Sequence, residues 1–577
     1  MNMIDASKTP EVITKPAGSD DSGSRHSETS SLLGGNQRNS SDEIPKELST
    51  RRKLTITSIV MVGVFLGSFD ATVVAAILSS IASELNSLAS IQWVATGYMV
   101  ACAAFQPLFG KLSDIFGRKA LLMTCNILFA VGCAICGVSE NLVTLVAGRV
   151  VAGMGGGGLM TIGTVVMSDF IPLRERGVYQ GIGNIVFGTG AALGGILGGY
   201  FAEIFGWRAV FLYQVPLILA SVFTIMIFLP ETSHTFLERK SHHYGTSDGD
   251  GQQEERRYSI FYNLGRIDFF GSVTLVTSIS ALMIACDLLG KRFSFSDPVV
   301  SVLGLITLLT AILYVYIEKY IAKEPVTPMD LFNHGPVVFS SISVMFSCMT
   351  TFALIYYAPI FLASVQGMGP YKVGISLTGT FVSTSAGSFF TGLYIKKTGK
   401  YRTFTAFSLL VSLIGNIALL SFDKSTPEWF IILTLALHRW GQAALATVTL
   451  LVLLASVPPE RQAVVTSIQY TFRGIGSTVG VSLAAMLFNN ILYSQLNNRL
   501  PSGSEDIISK LLDSVEEIEN LPAELKAPVI ISFRQASVAV FALALAESVL
   551  AVVTALFIKE KKLHATLHRT ELEEQDD

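Results

Sequence analysis

Among the charged side chains inside long apolar runs of this sequence, Asp70, Arg149 and Glu547 stand out. An ionised group in such a run costs at least ~2.5–3.5 kcal/mol on insertion scales, so it faces a cavity, titrates or pairs with an opposite charge. Asp70 suits a proton, a cationic substrate, or each in turn. The plainer reading is a structural carboxylate hydrogen-bonded between helices. Arg149 keeps its charge wherever it is buried, and its plain reading is a structural ion pair. Glu547, within Ala544-Leu-Ala-Glu547-Ser-Val-Leu550, is a further carboxylate in an apolar run, with no motif around it. His438 and Arg439 fall in the outer half of another run, where anchoring at the membrane surface competes with a site role. A separate group sits in a short connection: Asp114 between Gly110 and Gly117, with Arg118 and Lys119 directly after. There Asp114 can accept from Arg118 or sit at a neighbouring helix N-terminus, where the dipole favours an anion.

Other chemistries find little support. Gly153-Met-Gly155-Gly-Gly-Gly158 spells G-x-G-x-x-G, but it follows no strand and lies in an apolar helix, so it fails the context that nucleotide binding requires. No Walker sequence G-x-x-x-x-G-K-S/T occurs, which points to an ion gradient rather than ATP as the source of energy. No metal-ligand cluster, nucleophile motif, cofactor site or nucleic-acid patch stands out, and no enzyme activity is expected. The six cysteines (Cys102, Cys125, Cys133, Cys136, Cys286, Cys348) all fall in apolar runs, so no disulfide framework is implied. Glycines form the last signal: Gly181, Gly190, Gly194, Gly195, Gly198 and Gly199 share one segment near 178–201. Each costs about 1 kcal/mol relative to Ala in a helix interior. Gly190, Gly194 and Gly198 keep to one helix face, which lets two backbones approach closely inside a bilayer.

The elements that position these residues are membrane helices. Of the 577 residues, 50% are hydrophobic and 15% are charged, against roughly 25% charged in soluble domains, and the mean hydropathy is +0.52. Apolar stretches recur that are long enough to cross a hydrocarbon core about 30 Å thick. They predict about fourteen transmembrane helices near 56–78, 91–109, 120–138, 142–166, 178–201, 209–229, 268–286, 299–318, 337–362, 373–394, 403–421, 429–456, 464–488 and 536–558. Lys and Arg gather in alternate connections, among them Arg51, Lys111, Arg118, Lys119, Arg174, Arg176, Lys396, Lys397, Lys400 and Lys559. That side is expected in the cytosol, with both termini. Residues 1–52 form a polar tail without a signal-peptide core and are expected to be disordered. Within the tail, Glu28-Thr-Ser-Ser-Leu32-Leu33 resembles the acidic dileucine signal that sorting adaptor complexes read. The connection 489–535 carries an acidic helical run from Ile507 to Glu519.

The chain also repeats itself. Gly110 to Lys119 and Gly392 to Lys400 share G-x6-G followed by a basic residue, 282 positions apart; Glu175-Arg176 and Glu460-Arg461 lie 285 apart. Two matches at nearly one offset imply two homologous six-helix halves with a pair of helices inserted between them. With Phe69-Asp70-Ala-Thr72, Gly110 to Lys119, Arg149 to Gly153, the glycine ladder, Trp207-Arg208, Pro230-Glu231-Thr232 and Arg266-Ile-Asp268-Phe-Phe-Gly271, the chain resembles a major facilitator superfamily transporter of the fourteen-helix proton-antiporter branch, over roughly residues 55–558. Ala152 stands where a Gln is usual, and Gly195 where a Pro is usual.

The resemblance implies an all-α membrane protein of two six-helix bundles related by a pseudo-twofold axis. Its expected parts are a tail (1–52), an N-terminal bundle (53–232), a polar loop (233–264), inserted helices 7 and 8 (265–325), a C-terminal bundle (326–558) and a second tail (559–577). It implies that Arg149 takes part in proton coupling, by tuning a nearby carboxylate, and that Gly110, Asp114, Gly117, Arg118 and Lys119 form a cytosolic latch between the halves. It places the glycine ladder where the halves slide or rock. With the dileucine sequence, the chain is similar to fungal vacuolar basic amino acid transporters, which implies Lys, Arg and His as substrates, protons as counter-substrate and the vacuolar membrane as location. A multidrug:proton antiporter at the plasma membrane shares every motif, and a non-transporting nutrient sensor or scaffold keeps the fold without turnover. Iron-siderophore carriage is a further reading. The partners expected are a small cationic substrate, protons, the lipid bilayer and a sorting adaptor, with no cofactor.

Overall fold

Inside a bilayer every backbone N–H and C=O has to be paired within the chain, so spanning segments close on themselves as helices. The computed structural model describes residues 50–85, 93–230, 266–291, 297–458, 461–501, 504–513, 515–518, 521–558 and 560. The two tails, the 233–264 loop and the Glu28-Leu32-Leu33 sequence fall largely or wholly outside them. The long helices are α1 (Thr50–Glu84), α2 (Trp93–Phe116), α3 (Arg118–Gly137), α4 (Leu142–Phe170), α5 (Leu173–Phe205), α6 (Trp207–Phe228), α7 (Phe269–Lys291), α8 (Pro298–Tyr320), α9 (Gly335–Ser364), α10 (Pro370–Thr398), α11 (Arg402–Leu419), α12 (Glu428–Ala455), α13 (Gln462–Arg499) and α14 (Ala523–Leu556). Twelve are apolar enough over eighteen residues to span a membrane unaided. The exceptions, α2 and α10, are the second helices of the two halves. Each is packed against helices of its own half and of the other, α2 on α4 and α13, α10 on α12 and α5. A helix shielded by protein tolerates Gln106 or the Ser and Thr residues of 376–391.

One set of pairings is used twice. In the first half α1 packs on α5, α4 and α6, α2 on α4, and α3 on α4 and α6. In the second half α9 packs on α13, α12 and α14, α10 on α12, and α11 on α12 and α14. Between the halves, α2 meets α13 and α5 meets α10, while α7 packs on α8, α2 and α13. The connections α2–α3, α4–α5, α10–α11 and α12–α13 lie at one end, called here the basic end for Lys111, Arg118, Lys119, Arg174, Lys396 and Arg461. Capping fixes local starts: Asp268 Oδ1 accepts from the Gly271 N–H at 2.9 Å and opens α7.

Several expectations change. The connection expected over 489–535 is mostly helix: α13 runs to Arg499 and α14 begins at Ala523. Between them stand a short helix, Glu505–Asp513, and a 3₁₀ turn, Val515–Ile518, where the acidic helical run was expected. The extension is stabilised by burial, since Leu492, Leu496 and Leu500 share one core with Ile508, Leu511 and Ile518. The presumed loop Gly110–Lys119 is helical except at Gly117, whose φ of 87° makes the whole turn between α2 and α3. Gly399, its counterpart, has φ 70° and ends α10.

The glycine ladder is also corrected. Gly190, Gly194 and Gly198 do not lie between the halves; a Cβ on them would strike Phe65 and Ser68, Phe69 and Thr72, and Val73 of α1. They are a tight crossing inside one bundle. Gly195 and Gly199 face open space, and only Gly181 of the ladder meets the other half, at Phe389 of α10. A four-residue period identifies one face but not the helix that face meets.

Candidate functional site

Four helices of the first half converge on one ion pair. Asp70 of α1 is fully buried, and Arg149 of α4 is 1% exposed. Arg149 Nη1 donates to Asp70 Oδ2 at 2.7 Å, and its Nε donates to the Val94 carbonyl of α2 at 3.3 Å. The guanidinium lies over the Tyr98 ring, 4.2 Å from its centroid, in cation–π geometry. Gln214 of α6 donates to Asp70 Oδ1 at 3.4 Å. Glycines of α4 make this convergence possible: a Cβ on Gly153 would strike the Tyr98 carbonyl, and one on Gly155 would strike Phe129 of α3. The G-x-G-x-x-G run is thus a packing surface on two sides of α4. Asp70 was expected to face a cavity; here its carboxylate is closed inside the bundle and its cation is Arg149.

A cavity of about 100 Å³ lies instead between the halves. Val64, Thr164, Gln180 and Asn184 line it from the first half, and Thr447, Tyr470 and Arg473 from the second. The Thr164 and Tyr470 hydroxyls meet across it at 2.7 Å, and Asn184 donates to Ser388 Oγ at 2.6 Å. Toward the basic end the halves touch. A Cβ on Gly392 would collide with the Gly177 backbone, and one on Gly110 with Ser467 and the Ala463 carbonyl. Lys396 pairs with Glu175 at 2.9 Å, and Arg176 Nη1 reaches Gln462 Oε1 at 3.3 Å. The repeated G-x6-G therefore has one physical meaning in both halves: its first Gly lets the other half approach and its second makes the turn.

The charged members of that motif make the Asp114–Arg118 contact expected of them, but they join elements of the first half rather than latching one half to the other. Arg118 Nη1 donates to Asp114 Oδ1 at 2.5 Å and to Ser113 Oγ at 2.6 Å, and its Nε donates to Asp169 of α4 at 3.1 Å. All four residues belong to the first half. Lys119 is half-buried and makes no ion pair among the described residues. Lys111 instead reaches out of the bundle, to Glu324 at 2.9 Å, which also binds Arg266 at 2.8 Å. At the opposite end Trp207 Nε1 donates to Glu84 at 2.7 Å, and Arg208 pairs with the same carboxylate, holding it below the ordinary carboxylate range.

The second half holds polar groups at its centre. Both carboxyl oxygens of Glu547 and both ring nitrogens of His438 are buried, and neither group meets hydrogen-bond geometry with a partner among the described residues. His438 is thus deep in α12, not an anchor at the membrane surface. Arg439 donates to Thr384 at 3.1 Å. Sequence reasoning missed Arg473, although the signal was there: a charge inside the expected span 464–488, the same criterion that found Asp70. Asp169 and Glu324 had no such mark, because each sits near a helix end or in a connection.

The model of the Major Facilitator Superfamily matches residues 60–369 and 340–494 in two overlapping stretches. The chain belongs to the major facilitator superfamily. Among curated relatives, Multidrug resistance protein fnx1 of Schizosaccharomyces pombe is 34% identical, over 91% of this chain and 96% of its own length. Vacuolar membrane amino acid uptake transporter fnx2 of the same yeast is 32% identical, over 84% and 80%. Vacuolar basic amino acid transporter 1 of Saccharomyces cerevisiae is 32% identical, over 77% and 80%. Among solved structures, the proton:xylose symporter XylE superposes with a TM-score of 0.54 at 14% identity, over 89% of this chain and 98% of its own; that likeness shows the fold alone. This member of the superfamily is a membrane transporter, not an enzyme.

Proposed function

We propose that the chain is a proton antiporter that moves Lys, Arg and His from the cytosol into the vacuole. The observation that carries this reading is the similarity, along more than three quarters of the chain, to relatives named as vacuolar amino acid transporters. The buried Asp70–Arg149 pair supports the coupling: a carboxylate that gives up its guanidinium partner can take a proton, so opening the pair and loading a proton become one event. The excess of Lys and Arg supports a cytosolic basic end. The contacts of Gly177 with Gly392 and of Gly110 with Ser467 are then a closed cytosolic gate, which Asp114, Arg118 and Asp169 brace from within the first half. Glu28, Leu32 and Leu33 support routing to the vacuole through an adaptor complex.

A second reading, a multidrug:proton antiporter, is favoured by the name of the fnx1 relative. Uptake of labelled lysine, arginine and histidine into vacuolar vesicles, with and without an acid lumen, tests both. The first reading predicts gradient-dependent uptake of the three amino acids and none of a lipophilic cationic dye; the reverse pattern would establish the second.

A further inference from the structure

Arg473 of α13 and Arg439 of α12 approach one thiol, Cys348 of α9. The Arg473 guanidinium lies beside the Cys348 sulfur and the Tyr470 hydroxyl, and Arg439 is near enough for its charge to act on the same sulfur. Arg473 also lies against the Tyr470 ring, 5.0 Å from its centroid, and lines the cavity between the halves. Each stands far from either end of its helix, so the three share the middle depth of the second half. Among the described residues, no carboxylate pairs with either guanidinium. Arg149, Arg118, Arg208, Arg266, Arg461 and Arg534 all have one. A guanidinium cannot shed its charge, and an uncompensated charge at membrane depth is costly unless a ligand answers it.

We propose that Arg473 and Arg439 form the binding site for the carboxylate of the transported molecule, with Tyr470 and Thr164 completing the donor set. Arg473 takes the carboxylate as a two-pronged donor, and Arg439 supplies a second positive charge behind it. The site selects molecules that carry a free carboxylate and repels cations that lack one. This inference rests on the proposed amino acid transport and takes the cavity between the halves as the place where the transported molecule binds.

Protection of Cys348 tests it in the purified full-length chain with Cys102, Cys125, Cys133, Cys136 and Cys286 replaced by Ala. The probe is a negatively charged methanethiosulfonate reagent. The competitors are lysine, 6-aminohexanoate (carboxylate retained, α-amino group absent) and cadaverine (carboxylate absent). Lysine and 6-aminohexanoate are expected to slow labelling, and cadaverine is not. In Arg473→Gln or Arg439→Gln the lysine concentration that protects is expected to rise about tenfold or more, the scale of a lost charge-assisted hydrogen bond; Arg473→Lys is expected to fall between. Cadaverine protecting as well as lysine, or a Cys348 that the reagent never labels, would overturn the site, and neither outcome depends on a substitution at Arg473 or Arg439. The two readings fail separately. Carboxylate-dependent protection without vesicle uptake of lysine upholds the site and removes the amino acid transport assignment. Lysine uptake with equal protection by cadaverine does the reverse.

Discussion

Asp70 and Arg149 are stable only as a pair. Removing one partner of a buried ion pair costs about 3–5 kcal/mol, because the charge left behind has no water to turn to. Asp70→Leu is therefore expected to lower the melting temperature and the abundance of the protein. Asp70→Asn keeps the shape and an acceptor oxygen for Arg149, so it is expected to remain folded while losing coupled uptake; measuring melting temperature beside uptake separates the two effects. Arg149→Lys cannot keep both the Asp70 and the Val94 contacts, and a role in coupling predicts a shifted pH profile of uptake. Glu324 offers a pH test outside the membrane. Partial burial pushes its carboxyl up from the ordinary 4.5, but hydrogen bonds from Arg266 and Lys111 prevail and hold it below. A depressed value in the folded state means that its contribution is present above the unfolded value and lost as the pH falls through the folded one. The melting-temperature difference between wild type and Glu324→Gln is expected to hold steady well above pH 4.5 and to shrink below it. These charges were legible because ionic residues in apolar runs are rare; their partners were not, since Asp70 and Arg149 are 79 positions apart.

Helix α5 shows how far an element can be read from its residues. The ladder predicted a bare face correctly, yet that face meets α1 and not the other half, because periodicity says nothing about the neighbour. Gly194→Ala is expected to force α1 and α5 apart, since its Cβ would strike the Phe69 carbonyl and Thr72. Overpacking of this kind costs about 1–3 kcal/mol. Gly195→Ala meets nothing and gains up to about 1 kcal/mol of helix propensity. Thermal unfolding of the two variants is expected to shift in opposite directions, and a fall in both would contradict the packing described. The same limit explains α13 and α14, whose helices continue past their apolar cores because Leu492 and Leu496 of α13 and Val529 and Phe533 of α14 are buried beyond them.

At the scale of the whole molecule, the repeat in the sequence became a repeat in packing, and Gly110 and Gly392 became the points where the halves touch. The rocking that the proposed transport calls for would have to break those contacts and the hydrogen bond from Asn184 to Ser388. A cross-link between Asn184→Cys and Ser388→Cys by a short bifunctional thiol reagent is expected to arrest uptake, and reduction to restore it. The most direct measurement of the central claim is lumenal pH in sealed, acid-loaded vesicles when lysine is added outside. The account predicts prompt alkalinisation with the wild-type chain and none with Asp70→Asn at equal protein content. Lysine entry without movement of protons, or an undiminished pH change in Asp70→Asn, would contradict it.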